Sequence, residues 1–141
     1  MPTISTSVTI DAAPQDVRTV LSDLTATRSW LPGTVDARMD GDVRICRMTD
    51  GQEVHERILE VSDDRLRFEH LRVALPVRQS SGSFSVAPAD EGRSVVVLEL
   101  SFEPLNEALT DQLSAGIHDA FTQSLQSLRV YIEERTTWDA R

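Results

Sequence analysis

The sequence predicts one α+β domain: a curved antiparallel sheet of about seven strands wrapped on one long C-terminal helix, with two short helices after the first strand. Three observations predict it. Thr3 to Asp11 alternates apolar and polar residues, which is the period of a half-buried strand. A long middle stretch then breaks into short apolar runs separated by turn residues, among them the hairpin signal Asp50-Gly51. From about residue 109 the period becomes helical, with a continuous apolar stripe. A twisted antiparallel sheet has one concave apolar face, and one long helix is its natural cover.

In the first strand Ile4, Thr6, Val8 and Ile10 share one face, and Ser5, Ser7, Thr9 and Asp11 share the other. Ala12-Ala13-Pro14 opens a helix, because proline suits the first turn. Val17, Val20, Leu21 and Leu24 recur at helical spacing, and Asp16 sits where the helix dipole favours negative charge. A second short helix is expected around Arg28, Ser29 and Trp30, capped by Thr25 or Thr27 and ended by Leu31-Pro32-Gly33.

Strands follow at Val35 to Met39, Val43 to Met48, Val54 to Val61, Leu66 to Leu71, Val77 to Ala87 and Ser94 to Phe102. Their turns are Asp40-Gly41, Asp50-Gly51, Ser62-Asp63-Asp64, the bend at Pro76 and Asp90-Glu91-Gly92, and Pro104 stops the last strand. The long helix is expected from about 109 to 134, with Thr110 as its cap. Leu113, Ile117, Phe121, Leu125, Leu128 and Ile132 form its inner stripe, joined by Ala120, Ser124 and Tyr131. Residues 136–141 read as a loose tail, on which Trp138 can tuck back.

A chain of 141 residues fits one domain. With 40% hydrophobic and 26% charged residues it has the make-up of a soluble globular protein and can bury a core without disulfides. Acids outnumber bases 23 to 14, so the formal charge is -9, and every base is arginine. The absence of lysine excludes Schiff-base catalysis, a lysine-held pyridoxal phosphate and the phosphate-binding loop that ends in Lys-Ser/Thr. The acidity argues against nucleic acid, which needs a basic face to displace counterions, and against an anionic membrane surface.

Cys46 is the single cysteine, so no intrachain disulfide can form. There is no basic segment followed by an apolar run at the N-terminus, and no apolar stretch approaches the roughly 18 residues of a spanning helix. The expectation is a cytoplasmic protein that does not insert in membranes. His55, His70 and His118 lack ligand spacing and nothing pairs them with Cys46, so neither a metal nor another cofactor is expected. Cys46 reads as a small buried hydrophobe. Ser81-Gly82-Ser83 is not the nucleophile elbow, and nothing supports a Ser–His–Asp triad.

The order of elements resembles the helix-grip fold of the START/birch-pollen-allergen superfamily, and more closely its bacterial polyketide cyclase/dehydrase and lipid-transport branch. Val8-Thr9-Ile10-Asp11-Ala12-Ala13-Pro14-Gln15-Asp16-Val17 resembles that family's opening strand and first helix. Trp30-Leu31-Pro32-Gly33 resembles its second helix and exit. Gly41-Asp42-Val43-Arg44, the Asp50-Gly51 hairpin and His55-Glu56-Arg57-Ile58-Leu59-Glu60 resemble its central strands. Leu75-Pro76-Val77 and Phe102-Glu103-Pro104 resemble two further segments. The resemblance covers the chain from about Ser5 to Ile132 and implies a pocket between sheet and long helix. Many relatives carry aromatics near the positions of Leu98 and Gln79 or Ser80, so here the pocket is expected to have aliphatic and small-residue walls, which weakens the case for stacking on an aromatic ligand.

Alternation assigns Leu66, Phe68 and His70 inward on one strand, Ser80, Gly82, Phe84 and Val86 on the next, and Val96, Leu98, Leu100 and Phe102 on the last. Ser80 and Gly82 are expected to leave volume beside Phe84; plain core packing is the competing reading. The resemblance implies that Glu56 faces the ligand cavity, as the matching glutamate does in plant hormone receptors. A buried carboxylate needs a partner, and Arg44 on the other arm of the hairpin is the natural one. Glu56 is then a polar anchor, an acid/base group with a raised pKa, or half of a structural pair. The opposite phase, with His55, Arg57, Leu59 and Val61 inward, stays open.

His70 ends an inward face, either as a proton carrier or as a hydrogen-bonded rim residue. His118 reads as rim. Tyr131 can donate a hydrogen bond into the pocket, and Arg72 and Arg78 flank its mouth or are simply solvated. The candidate ligand-binding residues are thus Arg44, Glu56, Phe68, His70, Ser80, Gly82, Phe84, Leu98, Leu100, Ile117, Phe121 and Tyr131, with Glu56 and His70 as candidate catalytic groups.

Three functions are weighed. The first is binding of a small hydrophobic, lipid- or polyketide-like molecule in an enclosed cavity. The second is a polyketide cyclase or dehydratase, with Glu56 and His70 moving protons and Arg44 or Tyr131 steadying an enolate oxygen. The third is an interaction module of the chaperone-regulator type. It would need an exposed apolar patch, whereas the outer strand faces read Arg67, Glu69, Gln79, Ser81 and Ser83. Monomer and homodimer are both open.

Overall fold

A computed structural model describes residues 1–139, with side chains described through residue 135. Its strands are β1 (Thr3–Ile10), β2 (Thr34–Asp40), β3 (Val43–Met48), β4 (Glu53–Val61), β5 (Arg65–Arg72), β6 (Val77–Pro88) and β7 (Ser94–Pro104). They form one seven-stranded antiparallel sheet in the order β1-β7-β6-β5-β4-β3-β2. β2 to β7 is therefore an unbroken meander, and β1 joins it at the far edge. Helix α1 (Pro14–Ser22) begins the crossing from β1 to β2, and helix α2 (Thr110–Asp139) ends the chain's regular structure.

The turns form where the backbone needs φ > 0. Gly41 (φ 62°) and Gly51 (φ 87°) close the β2–β3 and β3–β4 hairpins in a conformation that side-chain-bearing residues rarely adopt. Two bulges in the β4–β5 pair curve the sheet. Ile58 pairs with Phe68 but Glu60 pairs with Arg67, so Leu59 is extra on β4; His55 pairs with Arg72 but Glu56 with His70, so Leu71 is extra on β5. Bulges bend a strand and sharpen its twist. Leu59 and Leu71, both exposed, mark these irregularities.

α2 treats its apolar stripe in two ways. Leu125, Leu128 and Ile132 are buried in the main core together with Ile10, Val96 and Phe102. Closer to the N-terminus, Phe121 is only half-buried and Ala120 is exposed. The second half of the helix is thus sealed into the core, while the first half buries Leu113 and Ile117 but leaves Phe121 partly open. Polar ties hold the sealed half: Asp11 N donates to Glu133 Oε2 at 2.8 Å, and Ser127 Oγ donates to Trp30 O.

The fold class, the succession of elements along the chain and the long helix follow the sequence reading, and three local expectations need correction. The second short helix is a single 3₁₀ turn, Thr27–Ser29; Pro32 and Gly33, the latter at φ 80°, follow too closely for an α-helix to propagate. Thr110 is not a cap but already helical (φ −55°, ψ −49°). The capping acceptor lies earlier, where Asn106 Oδ1 accepts from Ala108 N at 3.0 Å at the start of a 3₁₀ turn, Glu107–Leu109. The helix also continues to Asp139, past the expected end near 134 and into the segment read as a loose tail. The Trp138 expectation, and the rest of that tail, lie outside the described side chains and residues.

Candidate functional site

The concave face of the sheet and the first half of α2 enclose a cavity of about 770 Å³. Phe68, Phe84, Leu98 and Leu100 line it from β5, β6 and β7, and Leu113, Ile117 and Phe121 line it from α2. One wall is the segment Trp30–Gly33, whose indole meets Phe84 edge-on (centroids 5.8 Å apart, 89° between planes). Exposed lining residues, among them Pro32, Asp50, Gln52, Pro76 and Gly116, mark its mouth.

The polar side of the cavity is a row across neighbouring strands. Arg44 on β3 is the register partner of Glu56 on β4, and Glu56 is the partner of His70 on β5. Arg44 Nε donates to Glu56 Oε1 at 3.1 Å, and Arg44 Nη1 donates to Leu24 O at 3.4 Å. His70 Nε2 lies 3.6 Å from Glu56 Oε2. On its other side, His70 Nδ1 shares a 2.7 Å hydrogen bond with Ser80 Oγ on β6. Arg44 is 3% exposed and Glu56 8%, so this is an ion pair almost out of water. Glu56 settles the phase of β4: it faces the cavity, while Arg57 pairs with Glu69 at 3.0 Å on the other face.

Burial alone would raise the pKa of Glu56. The nearby His70 imidazole and the Arg44 guanidinium outweigh it, and the net direction is downward from the ordinary 4.5. The sequence expectation of a raised value is therefore corrected: the partners that strand pairing brings to Glu56 hold it as a carboxylate. Cys46 also lines the cavity, with Sγ 4.0 Å from Glu56 Oε1. Burial and the neighbouring Glu56 charge push its pKa up, so it stays a thiol.

Nine of the twelve candidate residues line the cavity: Arg44, Glu56, Phe68, His70, Phe84, Leu98, Leu100, Ile117 and Phe121. Three do not. Ser80 is 3% exposed and sits behind His70. It completes a Ser80–His70–Glu56 chain, but a serine that lines no cavity has no substrate to attack. Gly82 leaves no volume: a Cβ there would fall 2.5 Å from Glu99 O and 2.9 Å from Phe68 Cζ. The ring of Phe68, on the neighbouring strand, already occupies the space. Tyr131 lies beyond the point where α2 closes onto the sheet, packed on the core with Arg135 Cζ 5.1 Å from its ring centroid.

Arg72 and Arg78 do not line the mouth, and Arg78 pairs with Glu103. His55 pairs with Glu53, and His118 stands exposed beside Asp119. Sequence reasoning missed Trp30, Met48, Leu75 and Gly116 as lining residues. The Trp30–Gly33 segment carries a signal in the sequence, an apolar tetrapeptide where a helix exits into a turn. Among the described residues no group of three or more His, Cys, Asp or Glu is placed to hold a metal ion, and no helix is long and apolar enough to cross a membrane.

The family model described as polyketide cyclase/dehydrase and lipid transport matches residues 1–133. The chain belongs to that family. Solved structures share its fold. XoxI from Bacillus cereus superposes with a TM-score of 0.86 at 21% identity, over 94% of this chain and 96% of that one. Zhui, an aromatase/cyclase from a Streptomyces species, gives 0.73 at 18% identity, over 96% and 95%. A START superfamily protein from Mycobacterium smegmatis gives 0.72 at 13% identity, over 94% and 95%. At these identities the likeness establishes the helix-grip fold, and family membership alone does not fix an activity. No match is found among proteins of curated function.

Proposed function

We propose that this protein binds a small, mostly apolar molecule in the cavity, with the molecule's polar group against Arg44, Glu56 and His70. The cavity itself carries the reading. Its volume of about 770 Å³ lies in the roughly 300–1,000 Å³ range of small-molecule sites. Protein interiors otherwise pack at the density of organic crystals, and an empty apolar void forfeits the contacts its walls would make. Apolar walls with a few convergent polar groups are what a ligand site needs: area for affinity, hydrogen bonds for orientation.

Native mass spectrometry of the freshly purified protein, followed by denaturing extraction, tests this. The expected result is a bound apolar molecule that is released on denaturation, or one-to-one uptake when the protein is offered apolar candidates. A protein that neither carries nor takes up any such molecule would refute the reading.

One observation favours a second reading, a cyclase or dehydratase. The Glu56 carboxylate and the His70 imidazole face the same cavity from paired strand positions. A carboxylate can remove a proton beside a substrate carbonyl while an imidazole delivers one to the leaving or accepting oxygen. Arg44 steadies the carboxylate. Glu56→Gln should then abolish turnover of the bound molecule while leaving binding in place, and unchanged turnover would remove Glu56 from the mechanism.

A further inference from the structure

Resting on the reading that the cavity binds an apolar molecule, we infer that its polar end recognises a hydroxyl group seated between Glu56 Oε2 and His70 Nε2, and that it disfavours molecules ending in a carboxylate or phosphate.

The gap carries the first half of the inference. Glu56 Oε2 and His70 Nε2 face each other at 3.6 Å, beyond the length of a good hydrogen bond. Oε2 retains capacity to accept. When Ser80 Oγ donates to His70 Nδ1 across their 2.7 Å contact, Nε2 carries the proton and is left to donate. A hydroxyl satisfies both at once, because it donates one bond and accepts others. A ketone can only accept, so it leaves Oε2 without a donor. A carboxylate also only accepts, and it sets a second negative charge beside Glu56.

The charges carry the second half. Arg44 lines the cavity, but its Nε is engaged by Glu56 and its Nη1 by Leu24 O. Its charge is balanced by the carboxylate it holds. Among the described residues no other arginine lines the cavity, and the one further acid on the wall is Asp50 at the mouth. A buried anion without its own cation is costly. An anionic ligand therefore meets two carboxylates and one guanidinium that is already paired. The lowered pKa of Glu56 strengthens this, because the group stays negative where such ligands are ionised.

Three molecules of one size and different head groups test it: decanol, decanoate and methyl octyl ketone. Each displaces Nile red, a neutral apolar dye, from the full-length protein at a pH above neutrality. Decanol should displace the dye at a concentration at least about tenfold below that needed for decanoate, with the ketone between them. In Glu56→Gln the preference for decanol over decanoate should shrink towards equality. If that variant fails to fold, His70→Phe, which removes the donor across the gap, should narrow the preference for decanol over the ketone. Decanoate competing as well as decanol, or no competition by any of the three against a bound dye, would overturn the hydroxyl inference alone. Failure of the wild-type protein to bind Nile red would instead overturn the cavity reading beneath it.

Discussion

Arg44 and Glu56 sit directly opposite each other across the β3–β4 hairpin, and Arg44 Nε donates to Glu56 Oε1 over 3.1 Å. The same row continues to His70 on β5. Strand register alone thus delivers a guanidinium, a carboxylate and an imidazole to one wall of an otherwise apolar cavity. The turn at Asp50-Gly51 sets the first pairing and the Leu71 bulge adjusts the second, so small changes in backbone geometry are tied to the chemistry of the wall.

Removing one member of the pair should cost far more than removing both. Arg44→Met strands a carboxylate in a site with little water, at a cost of about 3–5 kcal/mol. The double replacement Arg44→Met with Glu56→Met should recover most of that, because apolar groups of similar size need no partner. Urea unfolding of the two singles and the double measures it. Equal losses in Arg44→Met and the double variant would mean that the ion pair is not what holds this wall.

The acid limb of stability should carry a Glu56 component. Its folded pKa lies below the ordinary 4.5, so the unfolded chain takes up the proton first as pH falls. The stabilisation is complete above about pH 4.5 and disappears as pH drops through the lowered folded value. The stability difference between wild type and Glu56→Gln should therefore narrow between about pH 6 and about pH 3. A difference that widens over that interval would contradict the sign.

Two glycine-to-alanine changes should move stability in opposite directions. At Gly82 a Cβ would meet the backbone oxygen of Glu99 at 2.5 Å, which cannot be relieved by a rotamer change. Gly82→Ala should cost about 1–3 kcal/mol, the usual penalty of overpacking. A neutral result would mean that there is slack beside Phe68.

At Gly116, inside α2, an added Cβ meets nothing within 4 Å. Alanine also has the higher helix propensity, so Gly116→Ala should stabilise the protein by up to about 1 kcal/mol. Thermal unfolding reads it directly, and a lower midpoint would refute the prediction.

Cys46 should resist modification in the folded protein. It is buried, and burial together with Glu56 keeps it as a thiol. A soluble thiol reagent should label it only as fast as the chain unfolds, and rapid labelling under native conditions would show that the cavity admits polar reagents to its inner wall.

The fold was legible because each element has its own period. Alternation placed Phe68, His70, Phe84, Leu98 and Leu100 on inward faces, and the structure puts all five on the cavity wall. Arg44 and Glu56 do pair across the hairpin, but its register is not that of a two-residue turn: three residues, Thr49-Asp50-Gly51, separate Met48 from Gln52, and a two-residue turn at Asp50-Gly51 would have set Arg44 opposite Arg57. What failed was volume. Gly82 looks like empty space in sequence, but the ring that fills it belongs to Phe68 on the next strand. Tyr131 shares a helical stripe with Ile117, yet a stripe does not reveal where along its length the helix meets the sheet. The mouth was hidden for a related reason: Pro32, Asp50, Pro76 and Gly116 come from four separate segments, and no local pattern joins them.

The most direct test of the account is a Nile red titration of wild type against Ile117→Trp, since Ile117 is buried on the roof of the cavity. The larger side chain should fill the space a ligand needs. The account predicts one dye per wild-type chain and binding at least about tenfold weaker in the variant, with the unfolding midpoint little changed. Equal affinity in both proteins would place the dye elsewhere and contradict the claim that this cavity is the binding site.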